Sequence, residues 1–378
     1  MPGPLESLNV VEFAGLGPAP LAGQLLADLG ARVTVIDKVS LPVDPHDVNR
    51  RGKRSIALNL KSDDGKAVAQ ALIAQSDVLI EGFRPGVMER LGLGPDACPD
   101  TLIYGRMTGW GQTGPLAQVA GHDITYLATS GALSLMGSAD LPPKPPLNLV
   151  ADYGGGTMFL LYGVLAAIIS RGVTGKGQVV DAAMIDGVPA MMGLIHGLMG
   201  QGEWSARPGS NWLEGGAPFY RCYRCYRCYR CADGRDIAVG ALEPQFYALL
   251  IKGLGLNAKD LPDQNDRSAW PAMSQRFADV FAQQGRAHWA QVFEGTDACV
   301  APVLTLDEAA AHPHLTQRGT YLDVNGRRQA APAPRFGGTP TCATPAPTAP
   351  GADADAVLGG LGFDTDAIAG FRKSGALT

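Results

Sequence analysis

The sequence predicts an α/β fold in which a large domain with an open, mostly parallel, Rossmann-like sheet is joined to a smaller α/β domain. Two observations support this prediction. Short apolar runs alternate with longer helix-type runs, which is typical of parallel strands connected by helices. The chain also has 378 residues, of which 46% are hydrophobic and 18% are charged, so it is long enough to bury two full cores.

The large domain is predicted from elements that follow each other along the chain. Its strands are the short apolar runs at residues 8–13, 32–37, 55–60, 77–82, 102–108 and 178–184. One helix is expected to end near residue 29, and the others are expected at residues 61–75, 157–170 and 187–200.

The first strand, the glycine turn after it and the acid Asp37 have the outline of a dinucleotide-binding unit. The third glycine of that motif would fall at position 20, which is Pro20, and Pro18 has no N–H to offer a pyrophosphate. A nicotinamide cofactor is therefore not expected, although the parallel sheet is.

The smaller domain follows a glycine-rich passage. Its strands are predicted at residues 236–241 and 298–304, and its helices at 244–253, 273–283 and 288–293. A Pro-rich linker then leads to two closing helices, which we expect to return to the large domain. The predicted boundaries are 1–205 for the large domain, completed by a tail at 335–378, and 206–330 for the small domain.

The charge of the chain points to small-molecule partners. The net charge of −5 gives no reason to expect nucleic acid. Cations cluster at residues 49–54, and Arg84 follows another strand, at the strand ends where such sheets bind ligands. These few cations suit a phosphorylated small molecule, or they form solvated surface. No metal site is expected, because His312 and His314 lack a third ligand at a recognised spacing.

Residues 121–156 carry the predicted site. His122 and Asp152 each lie at a backbone break before an apolar run of helix length. Asp152 is placed to cap the following helix, and the glycines at 154–156 would let a ligand approach the N–H groups of the first turn. An imidazole, a carboxylate and such donors could move a proton next to a carbonyl. The same pattern also fits a capping aspartate, a surface histidine and glycines for tight helix packing.

Residues 220–231 repeat Tyr-Arg-Cys four times. The cysteine spacing is similar to that of an iron–sulfur run, but the last gap is one residue short and the following proline is missing. In a strand, Cys222 and Cys228 would face away from Cys225 and Cys231, so no four-sulfur site would form. We favour a tandem duplication that lengthened a strand or hairpin, since an even number of added residues preserves the facing of the side chains.

Several blocks in the same order carry a resemblance to a known family, at residues 9–18, 51–61, 86–94, 121–126, 147–156, 175–184, 215–220 and 239–247. They resemble the α-methylacyl-CoA racemases, which belong to the class III CoA-transferase superfamily. The resemblance covers nearly the whole chain to about residue 320, and it favours the catalytic interpretation of His122 and Asp152. Relatives have about two triplets at the repeat, so six residues here look added.

The resemblance implies a role for each residue of the site. His122 and Asp152 would be the two catalytic bases, and Glu243 would reach the histidine from the small domain. Asp123 would lie beside the pair. The transferases of the superfamily keep the aspartate and lack the histidine, so His122 is the discriminating residue. The residues implied near the nucleotide and pantetheine of CoA are Lys38, Ala57, Leu58, Asn59, Leu60, Arg84, Ala120, Gly121, Ile124 and Thr125.

The implied reaction is inversion at C2 of a 2-methylacyl-CoA thioester by proton transfer through an enolate. The resemblance further implies that CoA enters as part of the substrate, with no other cofactor and no metal. Two chains would interlock as a homodimer, with each active site shared between a large and a small domain. The alternatives are a CoA-transferase that uses Asp152 as its nucleophile and a CoA-binding module that the repeat leaves inactive.

The chain is expected to be cytoplasmic, with no membrane partner. Its N-terminus lacks the pattern of a signal peptide, and its last residues are not a peroxisomal tripeptide. Residues 153–170 form an uncharged run of 18 residues. The glycines at its start and its marginal length predict a buried core helix rather than a membrane span.

Overall fold

The computed structural model describes residues 3–39, 44, 46–137, 142–205, 207–220, 227–230, 235–339 and 346–377, with the backbone alone at 227–230. The chain divides into two compact units. Unit 1 comprises Met1–Tyr126, Asn148–Met191 and Pro313–Thr378, and unit 2 comprises Leu127–Leu147 and Met192–His312. Unit 2 thus includes residues 127–147, which the predicted division assigns to the large domain, and the predicted domain boundaries stay a prediction.

Within the described residues, unit 1 carries a sheet of six parallel strands in the order β3-β2-β1-β4-β5-β6. The strands are β1 (Asn9–Phe13), β2 (Arg32–Lys38), β3 (Arg54–Leu58), β4 (Val78–Glu81), β5 (Ile103–Thr108) and β6 (Val179–Ala183). This is the doubly wound order of Rossmann-like folds, so the predicted open parallel sheet is confirmed. Val11, Leu79 and Ile103 are fully buried, as expected for parallel strands that are covered on both faces.

Helices join the strands of this sheet. They are α1 (Pro18–Asp28), α2 (Asp63–Ala74), α3 (Val87–Arg90), α4 (Asp123–Thr129), α5 (Phe159–Thr174) and α6 (Met184–Ala190). Ser62 begins α2, because its hydroxyl accepts a hydrogen bond from the Gly65 N–H. A π-helical segment, Leu149–Met158, leads directly into α5. The last three residues of α4 belong to unit 2.

Unit 2 contains a small antiparallel sheet with helices. Its described strands, in the order β7-β8-β9, are β7 (Arg227–Arg230), β8 (Asp236–Val239) and β9 (Val300–Pro302). Its helices are α7 (Gly193–Gln201), α8 (Pro244–Gly253), α9 (Trp270–Phe281), α10 (Arg286–Phe293) and α11 (Leu306–Ala311). Leu250, Phe277 and Phe281 are fully buried in its core. The smaller α/β unit is therefore present as the sequence predicts.

The C-terminal part of the chain returns to unit 1. Its elements are α12 (Pro313–Gln317), β10 (Tyr321–Val324), β11 (Arg327–Ala330), α13 (Ala354–Gly360) and α14 (Thr365–Lys373). Asp353 accepts a hydrogen bond from the Ser55 N–H at 2.8 Å, and Leu377 forms a β-bridge with Leu58. The tail therefore covers β3 and shares its core.

The Tyr-Arg-Cys repeat meets β8 at two separate points. Tyr220 forms a β-bridge with Gly240, and Arg227 pairs with Val239. The two partners are neighbours in the chain, whereas residues 221–226 separate Tyr220 from Arg227. That separation is two triplets, the length predicted to be added. The predicted facing of the four cysteines involves side chains outside the described residues.

One helical segment, Leu149–Thr174, is long and apolar enough to cross a membrane by length and composition alone, a test that core helices of other proteins also pass. The sequence predicts that this helix is buried, but only 28% of its most apolar 18-residue window is buried in the single chain. Tyr162, Ile169 and Val173 on α5 are 73%, 73% and 86% exposed. The prediction of a buried core helix is therefore wrong for the single chain.

Candidate active site

A cavity of about 370 Å³ opens in unit 1 at the carboxyl ends of β1, β4 and β5. Its lining residues are 15–19, 82–85, 107–110, 117 and 119–122, together with Tyr126, Asp152 and Met184. The strand order reverses between β1 and β4, so the cavity lies at the switch point where open α/β sheets bind ligands.

His122 lines the cavity and lies immediately before α4. The Thr125 hydroxyl accepts a hydrogen bond from the His122 N–H at 2.9 Å and donates one to the His122 carbonyl at 2.7 Å. The same carbonyl accepts the Tyr126 N–H at 3.2 Å. The backbone of His122 is thereby fixed at the start of α4, where the residue lines the cavity.

Asp152 lines the same cavity from inside the π-helical segment. The prediction that Asp152 caps the following helix is therefore wrong, because the segment already begins after Asn148. The Asn148 amide donates a hydrogen bond to Asp152 Oδ2 at 3.4 Å. A hydrophobic pattern with a period near 3.6 cannot reveal the wider turn of a π-helix, which is often found at functional sites.

The capping carboxylate comes from Asp123 instead. Its Oδ2 accepts hydrogen bonds from the N–H groups of Ala151 and Asp152 at 2.8 and 2.9 Å. Asp123 is 6% exposed, and its Oδ1 is buried without a hydrogen-bond partner among the described residues. Because Asp123 follows His122 directly, one side chain connects the backbone segments of both predicted bases.

The glycines at 154–156 serve helix packing. A Cβ on Gly155 would lie 2.9 Å from Val188 Cγ2 and 3.0 Å from its backbone nitrogen, and a Cβ on Gly187 would overlap the Gly155 carbonyl. Gly156 is similarly close to the Met184 side chain. None of the three glycines is among the described residues that line the cavity. The packing alternative is therefore confirmed for Gly155 and Gly156, and the expectation that the glycines admit a ligand stays a prediction.

The surroundings of Asp152 favour its protonated form. Burial raises the pKa of its carboxyl above the ordinary value, and the negative charge of Asp123 acts in the same direction. The hydrogen bond from Asn148 and the charge of His122 oppose this shift without cancelling it. A carboxyl that holds a proton more readily can act as an acid as well as a base at the end of a proton transfer.

Arg84 lines the cavity from a loop that buried ion pairs hold in place. Glu81 accepts hydrogen bonds from the Phe83 N–H at 2.7 Å and from Arg106 Nε at 2.9 Å. The two terminal nitrogens of Arg106 bind Glu89 at 2.7 and 3.3 Å. Glu81 is 1% exposed, and this burial raises the pKa of its carboxyl. The Arg84 side chain itself is exposed and available to an anionic ligand.

The structure brings some of the implied CoA contacts to the cavity, namely Arg84, Ala120 and Gly121. Lys38 ends β2 and Leu58 ends β3, on the same edge of the sheet as the cavity but one and two strands away from β1. The Asn59 N–H donates to the Ala376 carbonyl at 2.9 Å, so the chain itself uses this donor. The implied contacts that are not among the described cavity-lining residues are Lys38, Ala57, Leu58, Asn59, Leu60, Ile124 and Thr125.

Glu243 lies in unit 2, where it directly precedes α8. It is exposed, and its charge contributes to raising the pKa of the Cys299 thiol, after the larger effect of burial. His122 belongs to unit 1, so the contact between Glu243 and His122 stays a prediction.

Sequence reasoning missed Tyr126 and Trp110, which line the cavity as a pair of aromatic rings. Tyr126 comes four residues after His122, a spacing that places two side chains on neighbouring positions of a helix surface. This signal was available in the sequence. Nothing in the local pattern around Trp110 distinguishes it from an ordinary turn residue.

Comparisons with known proteins agree on one family. The family model described as CoA-transferase family III matches residues 5–355. Human α-methylacyl-CoA racemase is 46% identical over 346 residues, which cover 89% of this chain and 87% of the human protein. The mouse α-methylacyl-CoA racemase is 45% identical over 333 residues, which cover 87% of this chain and 85% of the mouse protein.

Among solved structures, a CAIB/BAIF family protein from Brucella suis has the same fold, with a TM-score of 0.80 and 24% sequence identity. The match covers 96% of this chain and 100% of that chain. The family model extends over most of the sequence, and two relatives exceed 40% identity over most of their length. This chain therefore belongs to CoA-transferase family III.

Proposed function

We propose that this protein is an isomerase, a racemase that inverts C2 of 2-methylacyl-CoA thioesters. The similarity to two α-methylacyl-CoA racemases, at 46% and 45% identity, supports this activity over the CoA transfer after which the family is named. The observation that carries the proposal is that His122 and Asp152, from distant parts of the sequence, line one cavity. An imidazole and a carboxylate bordering one space are the groups that a two-base proton transfer requires.

In the proposed reaction, one base removes the proton from C2 of the thioester. The electron pair of the C2–H bond forms the C1–C2 double bond, and the carbonyl electrons move to the thioester oxygen. The other base then donates a proton to the opposite face of C2, and the carbonyl reforms. When His122 is the acceptor Asp152 is the donor, and for the other epimer the two roles exchange.

A single shared proton serves both directions. In one state Asp152 carries it and His122 is neutral, and in the other the imidazole carries it and Asp152 is ionised. The two states contain the same number of protons, so the enzyme need not exchange protons with solvent to change direction. Its activity should fall at low pH, when both groups are protonated, and at high pH, when the shared proton is lost.

We further propose that the CoA part of the substrate lies along the edge of the sheet that continues from the cavity towards β3. Arg84 and Lys38 supply positive charge on this edge, which suits the phosphates of CoA. The proposed steps move protons only, so no redox or metal cofactor is required, and CoA enters as part of the substrate.

Self-association into a homodimer is also proposed. Tyr162, Leu165, Ile169 and Val173 recur at intervals of three or four residues on α5, and each is at least 36% exposed in the single chain. Such spacing produces one apolar stripe, which a partner surface would remove from water. Ile169→Lys is expected to convert a dimer to a monomer in analytical ultracentrifugation. An unchanged mass, or a wild-type monomer, would contradict the proposed interface.

We propose that Glu243 contacts His122 in the assembled enzyme. We also propose that the protein acts in the cytoplasm, in the lipid metabolism of branched acyl thioesters. Fluorescent-fusion microscopy tests the location, and a strictly organellar signal would refute it. Glu243→Gln tests the contact, since loss of a carboxylate partner should move the histidine-dependent part of the pH profile.

The activity is tested by incubating each epimer of a 2-methylacyl-CoA in D₂O with purified protein. We expect deuterium at C2 and convergence of both epimers on the same mixture, measured by mass spectrometry and chiral chromatography. His122→Ala and Asp152→Ala should each abolish inversion. Absence of exchange in the wild type would refute the racemase. A covalent acyl or CoA adduct on Asp152, with dependence on a free acid, would identify a transferase instead.

A further inference from the structure

Tyr126 is held in a slot that two glycines leave open. A Cβ on Gly109 or on Gly121, near the two ends of the connection between β5 and α4, would overlap the Tyr126 ring. The Trp110 ring packs edge-on against Tyr126, with centroids 4.8 Å apart and an angle of 79° between the planes. Tyr126 is only 6% exposed. The position of this ring in the cavity wall is therefore fixed by its surroundings.

The hydroxyl of Tyr126 has no hydrogen-bond partner in the part of the chain that the structure describes. Tyr104 provides the contrast within the same unit, because its hydroxyl donates to the Leu93 carbonyl at 2.9 Å. Burial, and then the nearby charge of Asp152, raise the pKa of Tyr126 above its ordinary value. The phenol therefore keeps its proton and remains a donor across the neutral pH range.

The proposed reaction needs a donor at the thioester oxygen, where negative charge develops in the enolate. The sequence predicts such donors among the N–H groups of the turn after Asp152, but that turn lies inside the π-helical segment that begins after Asn148. In the structure, the N–H groups of Ala151 and Asp152 donate to Asp123 instead. Those two N–H groups are therefore already bonded within the chain, whereas the Tyr126 hydroxyl in the cavity wall has no such partner among the described residues.

We propose that the Tyr126 hydroxyl donates a hydrogen bond to the thioester oxygen of the substrate and thereby stabilises the enolate. The inference rests on the proposed racemase function and adds Tyr126 to the catalytic residues. The phenol keeps its proton throughout, since His122 and Asp152 carry out both proton transfers. The hydrogen bond strengthens as charge moves from the breaking C2–H bond to the oxygen, so it acts on the transition state more than on bound substrate.

The test replaces Tyr126 by phenylalanine, which removes only the oxygen and retains the ring that the two glycines and Trp110 enclose. Deuterium exchange at C2 and epimer inversion are measured for the wild type, Tyr126→Phe and the control Tyr104→Phe. We expect Tyr126→Phe to lower kcat about 100-fold, the range found when one oxyanion donor is removed, with KM changed less than about threefold. Tyr104→Phe should retain wild-type kcat, because its hydroxyl bonds within the core.

The outcomes separate this inference from the proposed function. If the wild type exchanges C2–H and Tyr126→Phe does so within about threefold of its rate, the hydroxyl is not the donor and the inference is wrong. If only KM rises, the hydroxyl binds substrate without stabilising the enolate, which also overturns the inference. If the wild type shows no exchange, the racemase proposal fails, and the role of Tyr126 fails with it.

Discussion

Replacing Asp123 by asparagine tests whether its carboxylate fixes the position of Asp152 relative to His122. Asp123 Oδ2 accepts N–H groups from Ala151 and Asp152 at 2.8 and 2.9 Å. An amide oxygen can accept the same two bonds, but each loses about 1 kcal/mol when its acceptor is no longer charged, so we expect a stability loss of about 2 kcal/mol. The new amide nitrogen would take the place of Oδ1, which has no partner among the described residues.

The effect on catalysis should be distinct from the effect on stability. Because the charge of Asp123 raises the pKa of Asp152, its removal should lower that pKa and move the acid limb of kcat/KM to lower pH. Displacement of Asp152 should also lower kcat by about 10-fold to 100-fold. The pH profile comes from epimer inversion, and the stability from urea unfolding.

The matched control is Asp364→Asn, in which the lost carboxylate accepts the Ala367 N–H at 2.8 Å at the start of α14. It should change stability by less than about 1 kcal/mol, because asparagine caps a helix about as well as aspartate, and it should leave the pH profile unchanged. If Asp123→Asn loses stability while its acid limb stays where the wild type has it, Asp123 has a structural role only and the electrostatic reasoning is refuted.

Three further changes probe helix packing, the Arg84 loop and the Tyr-Arg-Cys repeat. Gly155→Ala should destabilise the protein by about 1–3 kcal/mol in thermal melts, because its Cβ would lie 2.9 Å from Val188 Cγ2. The control Gly172→Ala should not destabilise it, because no atom lies within 4 Å of that Cβ. Equal melting points for the two variants would contradict the close helix crossing. Glu81→Gln should raise KM for acyl-CoA more than it lowers kcat, because the Arg84 loop loses a charged acceptor; an unchanged KM would count against it. Deletion of residues 221–226 should preserve stability and activity, because Tyr220 and Arg227 already pair with consecutive residues of the chain. An insoluble product would refute this pairing.

The sheet could be predicted because its signal is local. Each strand of the six-stranded sheet lies in a short apolar run, and burial on both faces leaves such runs without polar alternation. His122 and Asp152 could be selected only through the resemblance, because the local pattern also fits a surface histidine and a capping aspartate. The fold therefore followed from local patterns, and the pair of proposed bases from blocks spread over nearly the whole chain.

The supporting contacts could not be predicted, because they join distant parts of the chain. Asp123 accepts N–H groups 28 and 29 residues further along, and no local pattern selects it over Asp152 as the capping carboxylate. From the sequence, Gly155 fits either an opening for a ligand or a close helix crossing. Only the structure shows that Gly187 packs against it. The exposed stripe of α5 is as apolar as a core helix, and composition cannot say which surface covers it.

The pairing of the Tyr-Arg-Cys repeat with β8 has a consequence for how this gene segment can change. Tyr220 and Arg227 occupy consecutive rungs of the ladder, so whichever triplets stand between them, an arginine follows a tyrosine in the pairing. Loss of both intervening triplets would therefore present β8 with the same order of side chains, and because six is an even number it would also preserve their facing. The adjoining ladder would then pair as before in a chain that is six residues shorter.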